Sequence, residues 1–102
     1  MSTDAEGYLL DRSDWSEAFA QALAREEGLV LTPAHWELIH FLRAHDQAHG
    51  VQPQVRAMIR HFSQAWGPER GSNHHLHAMF PMGGPQKQGN RLAGLLRTKG
   101  EH

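Results

Sequence analysis

Nine histidines and no cysteine set the chemical limits of this 102-residue chain. His45 and His49 stand one helical turn apart, a spacing at which two imidazoles can face one metal ion, and His74, His75 and His77 form a second group. A resident metal needs three or four converging ligands, each oriented by its own hydrogen-bond partner. Asp46 adjoins the helical pair, but the acid nearest in sequence to the other group is Glu69, so neither a metal nor another cofactor is expected. The histidines also offer a pH response, because protonating all nine raises the formal charge from −1 by nine units. His35, beside Trp36, reads as a satisfied structural residue. Without cysteine there is no disulfide, no thiolate ligand and no thiol nucleophile. Other catalytic signatures are equally sparse. Gly71-Ser72-Asn73 reads as a helix start, not a nucleophile elbow, and Asp11, Asp14 and Glu17 read as solvated helix-start charge.

Charge is arranged as a gradient. Residues 1–27 carry seven acids against two arginines, whereas residues 85–102 carry Lys87, Arg91, Arg97 and Lys99 against Glu101 alone. A basic tail on an acidic body suits docking on an acidic partner or on phosphate. Arg56, Arg60 and His61 make a second cationic group, placed to face a DNA major groove if residues 33–49 and 54–66 form a helix-turn-helix pair. The net charge of −1 opposes that reading, since DNA binders usually carry a domain-wide basic bias.

These residues need a scaffold, and the chain punctuates itself as short helices. Asp14-Trp15-Ser16-Glu17 offers a capping pattern, with Trp15, Phe19, Ala22 and Leu23 at helical spacing before Gly28. Thr32 and Pro33 start a second helix carrying Trp36, Ile39, Phe41 and Leu42 to a stop near Gly50. Pro53 opens a third, with Val55, Met58, Ile59, Phe62, Ala65 and Trp66 in register. Ser72 caps a fourth, which ends before Pro81, and a last helix is predicted from Gln86 to about Leu95, with Leu92 and Leu95 inward. The three tryptophans, at apolar helical positions, are assigned to the core. Only Gly7-Tyr8-Leu9-Leu10 and Leu29-Val30-Leu31 could be short strands. The length fits one small domain over residues 1–102, and no apolar run is long enough to span a membrane. The polar, acidic start Met1-Ser2-Thr3-Asp4-Ala5-Glu6 is unlike a signal peptide, which predicts a cytoplasmic protein.

The fragments Gly7-Tyr8-Leu9, Asp14-Trp15, His35-Trp36-Glu37, Phe41-Leu42-Arg43, Val55-Arg56, Gly71-Ser72-Asn73 and Phe80-Pro81, then Arg91-Leu92-Ala93-Gly94-Leu95, occur in a specific order. In that order and spacing they resemble the DsrC/TusE family over residues 6–102. The family includes the gamma subunit of dissimilatory sulfite reductase and a carrier in tRNA thiolation. The resemblance implies a mainly α fold (at most a small α+β one): a compact orthogonal helical bundle with a vestigial N-terminal hairpin and a mobile C-terminal arm over 95–102. Family members usually carry a full hairpin ahead of the Gly-Tyr-Leu segment, and this chain starts too late for one. The joint Met82-Gly83-Gly84-Pro85 is also one residue longer than the family pattern.

The family's sulfur is carried on a penultimate cysteine, and DsrC proper has a second cysteine eleven residues earlier. Here those places hold Glu101 and Asn90. A carboxylate cannot hold a sulfane sulfur and an amide cannot close a disulfide, so persulfide transfer by this chain is excluded. The arm also lacks the family's two prolines, which would otherwise lower the entropy lost on insertion into a partner. The implied function is a non-catalytic accessory protein of sulfur metabolism that binds a sulfite reductase or sulfur-relay protein. Lys87, Arg91, Arg97 and Lys99 would steer docking, and Glu101 would enter the partner's site. The alternative is a DNA-binding regulator working through Arg56, Arg60 and His61.

Overall fold

A computed structural model of the chain describes residues 15–95. They form five helices: α1 (Glu17–Glu26), α2 (Pro33–His49), α3 (Val55–Trp66), α4 (Asn73–Met79) and α5 (Gly84–Leu92). No strand occurs among the described residues. Leu29-Val30-Leu31 is an irregular link in which Val30 is 80% exposed, so that strand expectation is corrected. The segment Gly7–Leu10, where a vestigial hairpin was expected, lies outside the described residues.

Helix starts follow side-chain chemistry. The first cap sits at Ser16, whose Oγ accepts the Phe19 N–H at 3.1 Å; Asp14 lies outside the described residues. At α2, Thr32 Oγ1 accepts from the His35 N–H, and the His35 ring replies to the Thr32 backbone in a capping box. The imidazole thereby takes the place usually filled by Glu or Gln. Ser72 caps α4 through the His75 N–H, as its position predicts. The last helix starts two residues before Gln86, with Pro85 in its first turn, and ends at Leu92.

The core collects Leu38, Ile39 and Leu42 from α2, Met58 and Phe62 from α3, Leu76 and Phe80 from the α4 region, and Leu92 and Leu95 from the chain's end. Trp15, Trp36 and Trp66 pack around it only partly buried, so their assignment to the core interior is corrected to its rim. The reason is polar: the Trp15 indole N–H donates to the Leu92 carbonyl, and that of Trp66 to the exposed Glu37 carboxylate. Ala22, expected inward on α1, is exposed, and Ala20 and Ala24 take the buried stripe with Phe19.

The hub is α5, which packs against α1, α2 and α4. Its sequence is mostly polar, yet Gly84, Pro85, Gln88, Gly89, Asn90 and Leu92 are all buried. Close approach makes this feasible: a Cβ at Gly89 would meet Leu42 Cδ1 at 3.1 Å, so glycine brings α5 down onto α2.

Candidate docking site on the fifth helix

Glu27, just past α1, organises the entrance to α5. Its Oε1 accepts from Gln88 Nε2 at 2.7 Å and from Arg91 Nη2 at 3.3 Å, and its Oε2 accepts from Arg91 Nε at 3.3 Å. Both members of the ion pair are nearly buried, with side chains 12% and 13% exposed. The same two α5 residues also fix the preceding turn. Gln88 Oε1 accepts the Met82 N–H at 2.9 Å, and Arg91 Nη2 donates to the Met82 carbonyl at 2.9 Å. Arg91, expected as a docking cation, makes these bonds within the protein. Lys87 is exposed on the same helix.

The far end of α5 is fixed as firmly. Trp15 Nε1 donates to the Leu92 carbonyl at 2.7 Å, and Arg43 Nη1 donates to the Ala93 carbonyl at 2.8 Å. The Arg43 guanidinium also lies 4.1 Å from the Trp15 ring centroid. Burial lowers the Arg43 pKa from its ordinary value, while nearby Asp46 raises it. Gly94, at φ +70°, passes beneath the tryptophan, where a Cβ would fall 2.3 Å from Trp15 Cδ1. Leu95, the first residue of the expected arm, is buried at 2% exposure. Arg97, Lys99 and Glu101 lie outside the described residues.

Asn90, expected at the place of the family's second cysteine, is fully buried, and neither its Oδ1 nor its Nδ2 has a hydrogen-bond partner among the described residues. The other candidates are dispersed. Arg56 and Arg60 project from the exposed side of α3, whereas the His61 ring lies against Phe41 with centroids 4.5 Å apart. The His45 and His49 rings are 4.5 Å apart, but His45 Nδ1 donates to the Val51 carbonyl. His77 Nδ1 donates to the Asn73 carbonyl. Among the described residues, no three of His, Cys, Asp and Glu converge as a metal site. No helix there is long and apolar enough to cross a membrane.

Sequence reasoning missed Glu27, Gln88 and Arg43, because each works through a partner 50 to 64 positions away. The usable signal was the glycine series at 83, 84, 89 and 94, which marks close backbone approach along an otherwise polar helix.

The family model described as DsrC like protein matches residues 1–100. The chain belongs to the DsrC-like family. It is 46% identical over 95 residues to the sulfurtransferase TusE of Sodalis glossinidius, an alignment covering 93% of this chain and 87% of that protein. Against TusE of Yersinia pseudotuberculosis the identity is 43%, with the same coverage. Among solved DsrC structures, the Allochromatium vinosum protein superposes with a TM-score of 0.83 at 36% identity, covering 95% of this chain and 86% of that one. The oxidized gamma subunit of dissimilatory sulfite reductase from Archaeoglobus fulgidus gives 0.86 at 32% identity, covering 96% and 89%. The DsrC-like fold is therefore present here around a chain without a thiol.

Proposed function

We propose that this DsrC-like protein binds a sulfur-relay protein or a sulfite reductase without carrying sulfur itself. The observation that carries the reading is that a chain matching the family over residues 1–100 contains no cysteine; in this reading Asn90 and Glu101 stand where the family's two cysteines would be. Relatives named as sulfurtransferases and as a sulfite reductase subunit point to the kind of partner.

In this reading the body is a rigid mount. The Glu27–Arg91–Gln88 network holds the start of α5, and Trp15 with Arg43 holds its end, so the following residues leave from a fixed point. Lys87, Arg97 and Lys99 supply long-range attraction to an acidic rim, and Arg91 orients the helix that bears Lys87. Glu101 presents a fixed negative charge where a reactive relative presents a thiolate, and so occupies a cationic sulfur-handling site without reacting. A second reading, duplex DNA on α3, is supported by the exposed Arg56 and Arg60. It is weakened by His61, whose ring rests on Phe41.

The test is binding to purified sulfite reductase and to purified sulfur-relay proteins by surface plasmon resonance. It compares the intact chain, a chain ending at Leu95 and the Glu101→Ala variant. Binding that drops tenfold or more in both variants supports arm insertion. Equal binding by all three removes the arm from the mechanism, and no binding to any of these proteins removes the accessory function.

A further inference from the structure

Histidine rings among the described residues are dispersed, with one exception. His35 is held by Thr32 and the Met79 carbonyl, His40 lies against Trp36, His61 lies against Phe41, and His77 Nδ1 donates to Asn73. His45 and His49, in the last turns of α2, instead lie together, with ring centroids 4.5 Å apart and planes at 48°. They are four positions apart on a continuous helix, so the backbone holds their separation.

The two rings are prepared differently. His45 is half-buried, and its Nδ1 lies 3.0 Å from the Val51 carbonyl oxygen. A carbonyl only accepts, so the proton sits on Nδ1 and Nε2 carries the lone pair. A backbone carbonyl orients ligating imidazoles in this way, fixing both the tautomer and the plane of the ring. His49 is exposed and has no hydrogen bond or ion pair among the described residues, so neither of its nitrogens is committed there.

Their spacing suits one ion and discriminates between metals. Two imidazole nitrogens about 2.1 Å from a metal and about 90° apart put their ring centroids roughly 4.5 Å from each other. A tetrahedral angle opens that separation to about 5.2 Å. The pair therefore fits neighbouring corners of a square plane, which Cu(II) and Ni(II) adopt, better than the tetrahedron of Zn(II). Of the two, Cu(II) binds nitrogen donors more tightly. Position adds to this, because α2 ends at His49 and the negative end of its dipole favours a cation. Asp46, between the two in sequence, is buried at 5% exposure and supplies no third ligand, since no three such groups converge among the described residues.

We propose that His45 and His49 form an exchangeable Cu(II) site. The ion takes Nε2 of His45 and a ring nitrogen of His49 at neighbouring corners, and water or a donor from another molecule fills the remaining positions. Two protein ligands are too few to hold a metal permanently, so occupancy follows supply. The site lies on α2 and is independent of the docking proposed in the preceding section.

Isothermal titration with CuCl2, NiCl2 and ZnCl2, joined to electron paramagnetic resonance of the copper-loaded chain, tests the proposal. One Cu(II) per chain is expected, bound at least tenfold more tightly than Ni(II) or Zn(II), with a spectrum showing two nitrogen ligands. His49→Ala should weaken Cu(II) binding at least tenfold and leave one nitrogen ligand, with unchanged circular dichroism because the side chain is exposed. His45→Ala should weaken it likewise, whereas replacing His74, His75 and His77 together by Ala should leave the affinity unchanged. Saturating copper should raise the urea midpoint of the intact chain and not that of His49→Ala. Equal Cu(II) affinity in His49→Ala means an adventitious ion only and overturns the proposal. So does Zn(II) binding as tightly as Cu(II), or a spectrum with fewer than two nitrogen ligands. Loss of the site on removal of residues 96–102, which hold the remaining histidine, likewise overturns it.

Discussion

Trp15 and Leu92 are 77 positions apart, and the indole N–H of one donates to the carbonyl of the other at 2.7 Å. The bond ties the first described residue to the last turn of α5, with Gly94 passing directly under the ring. The last turn of α5 is therefore fixed in part by a residue that precedes α1. Trp15→Phe keeps most of the packing and removes the donor, and should lower unfolding free energy by about 1 kcal/mol. Gly94→Ala should cost about 2–3 kcal/mol, because the added methyl meets the ring at a positive φ. Urea unfolding of the two variants checks the order; equal losses would mean that the close approach is not maintained.

Arg43 joins the same junction from α2, through the Ala93 carbonyl and the face of Trp15. Because it touches both partners, its contribution should not be additive with theirs. A double-mutant cycle of Arg43→Met and Trp15→Phe should give a coupling of about 0.5–1 kcal/mol. A coupling indistinguishable from zero would reduce the stacked guanidinium to a contact without energetic weight.

Removing Arg91 separates its internal role from any role in docking. Arg91→Met leaves Glu27 nearly buried with Gln88 as its remaining bond among those described, and should destabilise the fold by about 2–3 kcal/mol. It also releases one of the two bonds on the Met82 backbone. Hydrogen exchange should therefore accelerate around residues 81–84 more than in α2. Lys87→Met, by contrast, should leave both readouts unchanged, because that side chain is exposed.

The helices were legible in the sequence where local chemistry decides them. Thr32-Pro33, Ser72 and the glycines at 50 and 67 place their boundaries almost to the residue, since a cap acts over three or four positions. Centrality of α5 was not legible. Apolar periodicity finds stripes such as Met58 and Phe62, but α5 buries Gln88 and Asn90, which a hydrophobic pattern assigns to solvent. For the same reason the charge of Arg91 reads as surface charge until Glu27 is seen beside it, 64 positions earlier. The tryptophans fail in the opposite direction, because a large ring suggests the interior while its N–H requires an acceptor near the rim. The absent thiol, which shapes the functional reading most, needed only the sequence.

Asn90 gives a direct stability test of the buried amide in α5. Its amide is fully buried with both polar atoms unpartnered among the described residues, and such groups lose their hydration on folding with nothing in return. Asn90→Cys replaces the amide by a smaller group that behaves as a weakly polar hydrophobe. Relief of desolvation, about 1–3 kcal/mol, should exceed the cost of the small void, so the variant should be more stable by about 1 kcal/mol. Asn90→Asp should be destabilised by several kcal/mol at neutral pH, since a buried charge would replace a buried dipole. Urea midpoints under reducing conditions measure both. A loss of stability in Asn90→Cys would mean that the amide has a partner in solution, and residues 96–102 are where that partner should then be sought, by repeating the substitution in the chain ending at Leu95.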